Sequence, residues 1–249
     1  MRQGRFPHLR WVRWSLFALV IVLLVGATGP RAWDQTARWL NDEYDRLPWY
    51  TTRITALLAY LALAGSTIYG LLLSTKLLDR VAHRPVSFTL HGDLAGIGVA
   101  LALIHAAVLM IDRAVPYTPA ELVVPFIGPY RPLWVGLGQI GMALSLIVLL
   151  SFYVRKRIGT KTWRTIHYLS FAAFVAATVH GLMAGSDTGA EWAYAGYLTL
   201  SVTVVFLTTY RIALVVGARR EQRSKDHGRA PRSAAPDRGA VTAQDGVRS

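Results

Sequence analysis

The sequence predicts an all-α integral membrane protein, a bundle of six transmembrane helices, on three observations. First, 53% of its 249 residues are hydrophobic while its formal net charge is +13, a combination foreign to soluble globular domains. Second, the two properties are segregated. Long uncharged runs alternate with short charged segments, and each run is close to the roughly 20 residues that span a bilayer core as helix. Third, the basic residues recur in every second connecting segment, as expected of loops held on the cytoplasmic side.

The runs cover about 12–29, 53–75, 90–111, 132–154, 164–184 and 193–216. The first follows Arg2, Arg5, Arg10 and Arg13 and precedes the small residues of VGATGP, features that a signal peptide shares. It is long for a signal sequence and is read as a retained helix. Span two opens beside Trp49 and Tyr50, and Trp134, Trp163 and Trp192 also fall at expected interfaces, where amphipathic rings belong. Lys76, Arg80 and Arg84 follow span two, and Arg155, Lys156, Arg157, Lys161 and Arg164 follow span four. With the basic amino end and tail, these place both termini in the cytoplasm of a protein of the plasma membrane. The opposite loops mix signs: Asp34, Asp42, Glu43 and Asp45 with Arg31, Arg38 and Arg46, then Asp112 and Glu121 with Arg113 and Arg131.

Between spans three and four, PYTPAELVVPFIGPYRPLW is too broken by proline to cross the membrane, yet apolar enough to lie at its surface and cap the outer helix ends. From about residue 219 onward large apolar side chains almost vanish, so this stretch cannot bury enough surface to fold and is expected to be disordered. Its basic start suits anionic lipid headgroups or simply solvent. Three regions result: 1–49 with the amino end, span one and an outer loop; 50–217 as the main membrane domain; and 218–249 as the tail.

Several chemistries are excluded by composition. The chain has no cysteine, which removes disulfides, thiolate zinc sites, iron–sulfur clusters and covalent haem attachment. No Gly-rich dinucleotide or phosphate loop occurs, no Asp or Glu falls at the middle of a span as a proton-coupled pump would require, and no nucleic-acid partner is expected.

Of seven histidines, His8, His83 and His227 lie in polar segments, whereas His91, His105, His167 and His180 lie inside apolar runs. Ionisable groups at membrane depth are costly and face the bundle interior. His91 and His105 are fourteen residues apart, about 21 Å of rise and only about 40° of rotation on an ideal helix, hence one stripe near opposite faces. His167 and His180 are thirteen apart, about 20 Å of rise, on a span running in the same direction. Depth therefore pairs His91 with His167 toward the cytoplasm and His105 with His180 toward the outside. Thirteen residues turn an ideal helix about 220°, so span five must depart from ideal geometry or be approached from two sides. Two opposed imidazoles suit several metals, copper included, but make a poor structural zinc site, which wants four ligands. Haem iron needs only two axial ligands, and a bis-histidine haem favours electron transfer over oxygen chemistry.

The segments HGDLAGIGVALALIHA and TWRTIHYLSFAAFVAATVHG resemble the ferric reductase-like transmembrane domain, the membrane module of NADPH oxidases, metalloreductases and the haem subunit of bacterial methionine sulfoxide reductases. The resemblance covers roughly residues 50–215 and rests on four histidines, two spacings and the helix order. It implies two b-type haems per chain between spans three and five, ligated axially by His91, His105, His167 and His180. It also implies transmembrane electron transfer from a separate flavoprotein, which would bring its own flavin, or from a quinol, to an external acceptor or oxidoreductase subunit. Unlike in oxidases, the short stretch after the last span is not expected to hold a flavin or nicotinamide domain. A haem-binding anchor or sensor subunit without sustained electron flux is the alternative. Arg53 near the outer side, and Arg84, Arg155 and Arg164 near the inner side, match haem propionates in bidentate geometry; topology-setting arginines occupy the same positions. Gly65, Gly70, Gly96, Gly98, Gly136, Gly138 and Gly141 allow close helix approach or room for a macrocycle.

Overall fold

A computed structural model describes residues 47–80, 84–112 and 115–228. All regular structure among them is helical: α1 (Leu47–Thr75), α2 (Arg84–Val108), α3 (Pro119–Val123), α4 (Pro132–His167), α5 (Leu169–Ala184) and α6 (Glu191–Gly228), with a 3₁₀ turn at Leu77–Arg80. Two of the starts use one device. Pro119 and Pro132 each stand in a first turn, where the missing N–H has no intrahelical partner to lose. Lys76, left-handed at φ 60°, ends α1. Glu191 opens α6, its charge matched to the positive end of the helix dipole.

Four helical stretches are long and apolar enough to cross a membrane: Leu47–Thr75, Pro85–Val108, Pro132–Ala184 and Glu191–Lys225. The chain is a multi-pass membrane protein, with four such stretches among the described residues where six spans were expected. Span one, 12–29, lies outside the described residues. Spans four and five were expected as separate helices joined by the polar loop 155–163. Instead that basic segment is itself helical, because Arg and Lys are good helix formers and no proline interrupts them.

The helix yields at Gly159, with φ 79° and ψ 157°, a conformation essentially reserved for glycine. Pro132–Ala184 therefore doubles back as a hairpin. The Trp134 carbonyl oxygen stands 3.0 Å from His180 Nδ1, although 46 residues of straight helix would separate them by about 69 Å. Small residues line the seam: a Cβ on Gly141 would lie 3.2 Å from Ala176 Cβ and 3.3 Å from the Ala173 carbonyl oxygen. The α1–α2 crossing is equally close, with Gly98 set against Ala59, Ala62 and the Leu63 backbone. Such contacts replace the hydrophobic drive that lipid cannot supply.

By contacts the chain divides at Thr208/Thr209. The first unit centres on Tyr60, Ala64, Leu71, Phe174, Val204 and Leu207, from α1, α5 and the first part of α6. Leu58, Leu61, Val175 and Val202 are exposed, as side chains facing lipid would be. In the second unit the described part is the remainder of α6. It continues helical to Gly228, some ten residues into the stretch expected to be disordered, with Lys225 and Glu221 paired at 2.6 Å one turn apart. A lone helix needs no core, so the composition that denies this stretch a packed fold does not deny it a helix. Residues 229–249 lie outside the described residues.

The proline-rich segment before α4 does cap helix ends. The α3 start is a reciprocal capping box between Thr118 and Glu121, Gln139 Nε2 donates to the Glu121 carbonyl at 2.5 Å, and Arg131 donates to the Met183 carbonyl at 2.5 Å. Tyr117 is buried against Gly128 and donates to the Tyr130 carbonyl at 3.2 Å.

Candidate functional site

The four membrane-depth histidines meet in the two expected pairs. The ring centroids of His91 and His167 are 6.0 Å apart with planes at 73°, and those of His105 and His180 are 6.3 Å apart at 67°. An imidazole nitrogen binds a first-row metal at about 2.0–2.1 Å and lies about 1.2 Å from its ring centroid, so two imidazoles on opposite sides of one metal place their centroids about 6.4 Å apart. Both pairs fit that span. Among the described residues no group of three or more His, Asp or Glu side chains gathers as a metal site, so each pair offers two protein ligands and leaves the remaining positions to another donor.

Which nitrogen is offered follows from the hydrogen bonds. His91 Nδ1 donates to the Ser66 carbonyl at 2.8 Å, His105 Nδ1 to the Thr52 carbonyl at 3.0 Å, and His180 Nδ1 to the Trp134 carbonyl at 3.0 Å. A backbone carbonyl can only accept, so Nδ1 carries the proton and the Nε2 lone pair is left for a ligand bond. This is the outer-shell arrangement that orients metal-bound histidines. Ser66 reinforces the first of these: its hydroxyl lies 3.1 Å from His91 Nδ1 and donates to the His91 carbonyl at 3.0 Å. The contact that distinguishes His167 is a stacked indole, Trp163, at 5.2 Å and 29°.

Glycines open two of these carbonyls. Gly70 and Gly138 each stand four residues after the acceptor, beside the ring that reaches it. A Cβ at Gly70 would lie 3.0 Å from His91 Cε1, and one at Gly138 would lie 2.6 Å from His180 Cγ and Nδ1. Real Cβ atoms essentially never approach as closely as 2.6 Å, so the His180 ring needs glycine at 138, whereas the 3.0 Å approach at Gly70 is tight and asks His91 to shift by a few tenths of an ångström. The sequence reading set these two among seven glycines that allow close helix approach or room for a macrocycle, without singling them out. The legible signal was a glycine one turn beyond an acceptor on a helix facing a membrane-depth histidine.

A cavity of about 440 Å³ surrounds the His105–His180 pair, lined by these two, Arg53, Gly98, Gly138 and Gln139 among mostly apolar neighbours. Its volume lies within the roughly 300–1,000 Å³ of ligand pockets. His91 and His167 do not line it.

The expected arginines separate. Arg53 lines this cavity, paired with Asp187, to which Nε donates at 2.9 Å, while its guanidinium lies 4.0 Å over Trp49. Asp187 was not foreseen, being a single acid in a short loop. Arg155 lies 5.2 Å over Trp163 near the turn of the hairpin. Arg164 is exposed, one turn before His167. Arg84 is the first residue of α2; its side chain lies outside the described residues.

No protein-family model, curated protein or solved structure matches the chain.

Proposed function

We propose that the chain is a membrane electron-transfer module, similar to the ferric reductase-like transmembrane domain, holding two bis-histidine b-type haems at different depths. The observation that carries this reading is the pair of opposed histidines at each depth, with centroids one metal apart and Nδ1 of three rings committed to a backbone carbonyl. Haem iron, with four equatorial positions filled by its macrocycle, supplies one-electron chemistry to a site that presents only two ligands.

The chain's own residues bind, orient and shield. His91 and His167 form the inner site, His105 and His180 the outer. Ser66, Thr52 and Trp134 fix the tautomer and rotation of three of the rings. Gly70 and Gly138 keep the space beside the His91 and His180 rings open, and the apolar lining excludes water and lowers the local dielectric. The hairpin's two limbs, together with α1, α2, α6 and the run 12–29, make six crossings with both termini in the cytoplasm of the plasma membrane. Its basic turn then lies on the cytoplasmic side, next to the inner pair. The donor is a separate flavoprotein, with its own flavin, or a quinol; the acceptor is an external species or oxidoreductase subunit.

A pyridine haemochrome assay with protein quantitation tests the cofactor directly. Near two haem b per chain is expected, and none rejects the proposal. In reconstituted vesicles, reductant on one side should reduce an acceptor on the other. Two haems without transmembrane flux would favour the anchor or sensor role instead.

A further inference from the structure

Each histidine pair has beside it one buried hydrogen-bond donor with no partner among the described residues, and beside that donor an arginine. At the outer site the donor is the Thr52 hydroxyl, at the inner site the Trp163 indole N–H. Thr52 lines the outer cavity next to Arg53. Its orphan state is a departure from its own helix. Thr51 donates to the Leu47 carbonyl at 2.8 Å, Thr55 to the Thr51 carbonyl at 2.6 Å and Thr67 to the Leu63 carbonyl at 2.9 Å, the usual refuge of a hydroxyl in an apolar helix. Thr52 alone of these makes no such bond, while its own carbonyl oxygen accepts from His105 Nδ1 at 3.0 Å.

Trp163 stacks on His167 at 5.2 Å, and the Arg155 guanidinium stands 5.2 Å from its ring. Its indole nitrogen is shielded from solvent. Buried donors are nearly always satisfied, and an exception beside a ligand site calls for an acceptor supplied by the ligand. Both orphans are donors and both have a cation close by, so the acceptor that suits them is an anion with oxygen atoms.

Resting on the haem reading above, we infer that Thr52 with Arg53, and Trp163 with Arg155, are the carboxylate anchors of the two bound groups: each donor takes a propionate oxygen, Arg155 balances the inner charge, and Arg53 faces the outer one while it is also paired with Asp187. The two sites thus hold their ligands by the same device built from different residues, a hydroxyl outside and an indole inside.

Removing one donor leaves its carboxylate less well neutralised, which stabilises Fe(III) over Fe(II) and lowers the potential of that haem alone. Potentiometric titration with optical and EPR detection of each haem reads this. Thr52→Val should lower the outer potential and Trp163→Phe, which keeps an aromatic ring on His167, the inner one. The expected shift is roughly three- to tenfold in the Fe(III)/Fe(II) ratio, about 28 to 59 mV for a one-electron couple. Thr52→Ser restores the hydroxyl and should return the outer potential to the wild-type value. An unmoved outer potential in Thr52→Val overturns the outer assignment, and an unmoved inner potential in Trp163→Phe overturns the inner one. Wild-type protein without haem would instead reject the reading on which both rest, so the two failures are distinct.

Discussion

Replacing Gly138 by alanine tests the outer site at a single atom. The new Cβ would lie 2.6 Å from His180 Cγ and Nδ1 and 2.9 Å from Cδ2. Ordinary carbon contacts begin about 1 Å farther out, so the ring must move by about that much. Neither the Gly138 backbone, within a continuous helix, nor the hairpin seam at Gly141 is free to yield first. The displaced ring loses the 3.0 Å bond from Nδ1 to the Trp134 carbonyl. Losing an outer-shell partner of this kind weakens metal binding by about 10–100-fold, and the ring displacement exceeds the roughly 0.5 Å that a preorganised site tolerates. The expected result is one haem per chain where the wild type has two, with the outer signal missing. Helix propensity works against that outcome, since alanine for glycine inside a helix stabilises by about 0.5–1 kcal/mol. Gly196→Ala is the control: Gly196 is exposed on α6 and nothing lies within 4 Å of its Cβ position, and both haems should remain. Retention of two haems with an unaltered outer EPR signal in Gly138→Ala would refute the reasoning.

Other perturbations probe other links. Alanine at His91 or His167 should remove the inner haem, and at His105 or His180 the outer, by haemochrome stoichiometry and EPR; loss of both haems from every single variant would break the pairing. Gly159→Ala puts a Cβ at φ 79° and should cost about 1–3 kcal/mol, read as a lower unfolding midpoint in detergent; an unchanged midpoint would mean that the hairpin turns elsewhere. Arg53→Gln leaves Asp187 in a largely enclosed site without its cation, at a cost of about 2 kcal/mol between the exposed and buried limits for ion pairs, and Asp187→Asn in the same chain should recover most of it. At the surface, hydrogen bonds from the Thr118 backbone N–H and hydroxyl hold the Glu121 carboxyl below its ordinary value. The capping contribution is thus present above the ordinary carboxylate range and lost as pH falls through the depressed value. Thr118→Val should raise the Glu121 value in an NMR titration.

The sequence makes plain what rests on contrast between neighbours along the chain. Apolar runs mark α1, α2 and α6 because lipid demands uninterrupted length, and four histidines stand out because each is an ionisable group at membrane depth. Their pairing was legible through rise per residue together with the common direction of the two spans. What composition hides is contact across helices. The rings of His91, His105 and His180 are held by the carbonyl oxygens of Ser66, Thr52 and Trp134, a group that every residue has, so these bonds leave no mark in the side-chain pattern. Asp187 matters through Arg53, which is 134 residues away. The helical turn at 155–163 was misjudged because charge was taken as a loop signal, whereas Arg and Lys favour helix and no proline intervenes; the backbone leaves helical geometry at Gly159.

The thirteen-residue spacing shows how a local irregularity serves the site. An ideal helix would turn His180 about 220° from His167. Between them the hydrogen-bond pattern tightens. Tyr168, at φ −65° and ψ −19°, donates its N–H to the Thr165 carbonyl at 3.2 Å, and Phe171 donates to the Tyr168 carbonyl at 3.1 Å. These are three-residue steps of the 3₁₀ kind, which turn about 120° per residue where an α-helix turns about 100°. Two or three such residues add about 40–60°, bringing His180 to about 260–280°, which is toward a full turn and so toward the stripe that holds His167. Overwinding has the right sign; underwinding by a π-bulge would have carried the ring the other way. The remaining offset of about 80–100° falls on the two rings' different supports. His180 is drawn to the Trp134 carbonyl of the facing limb, and His167 is set against Trp163 on its own helix. One limb of the hairpin can therefore serve both histidines of α2, although its own spacing is not the fourteen that keeps those two on one stripe.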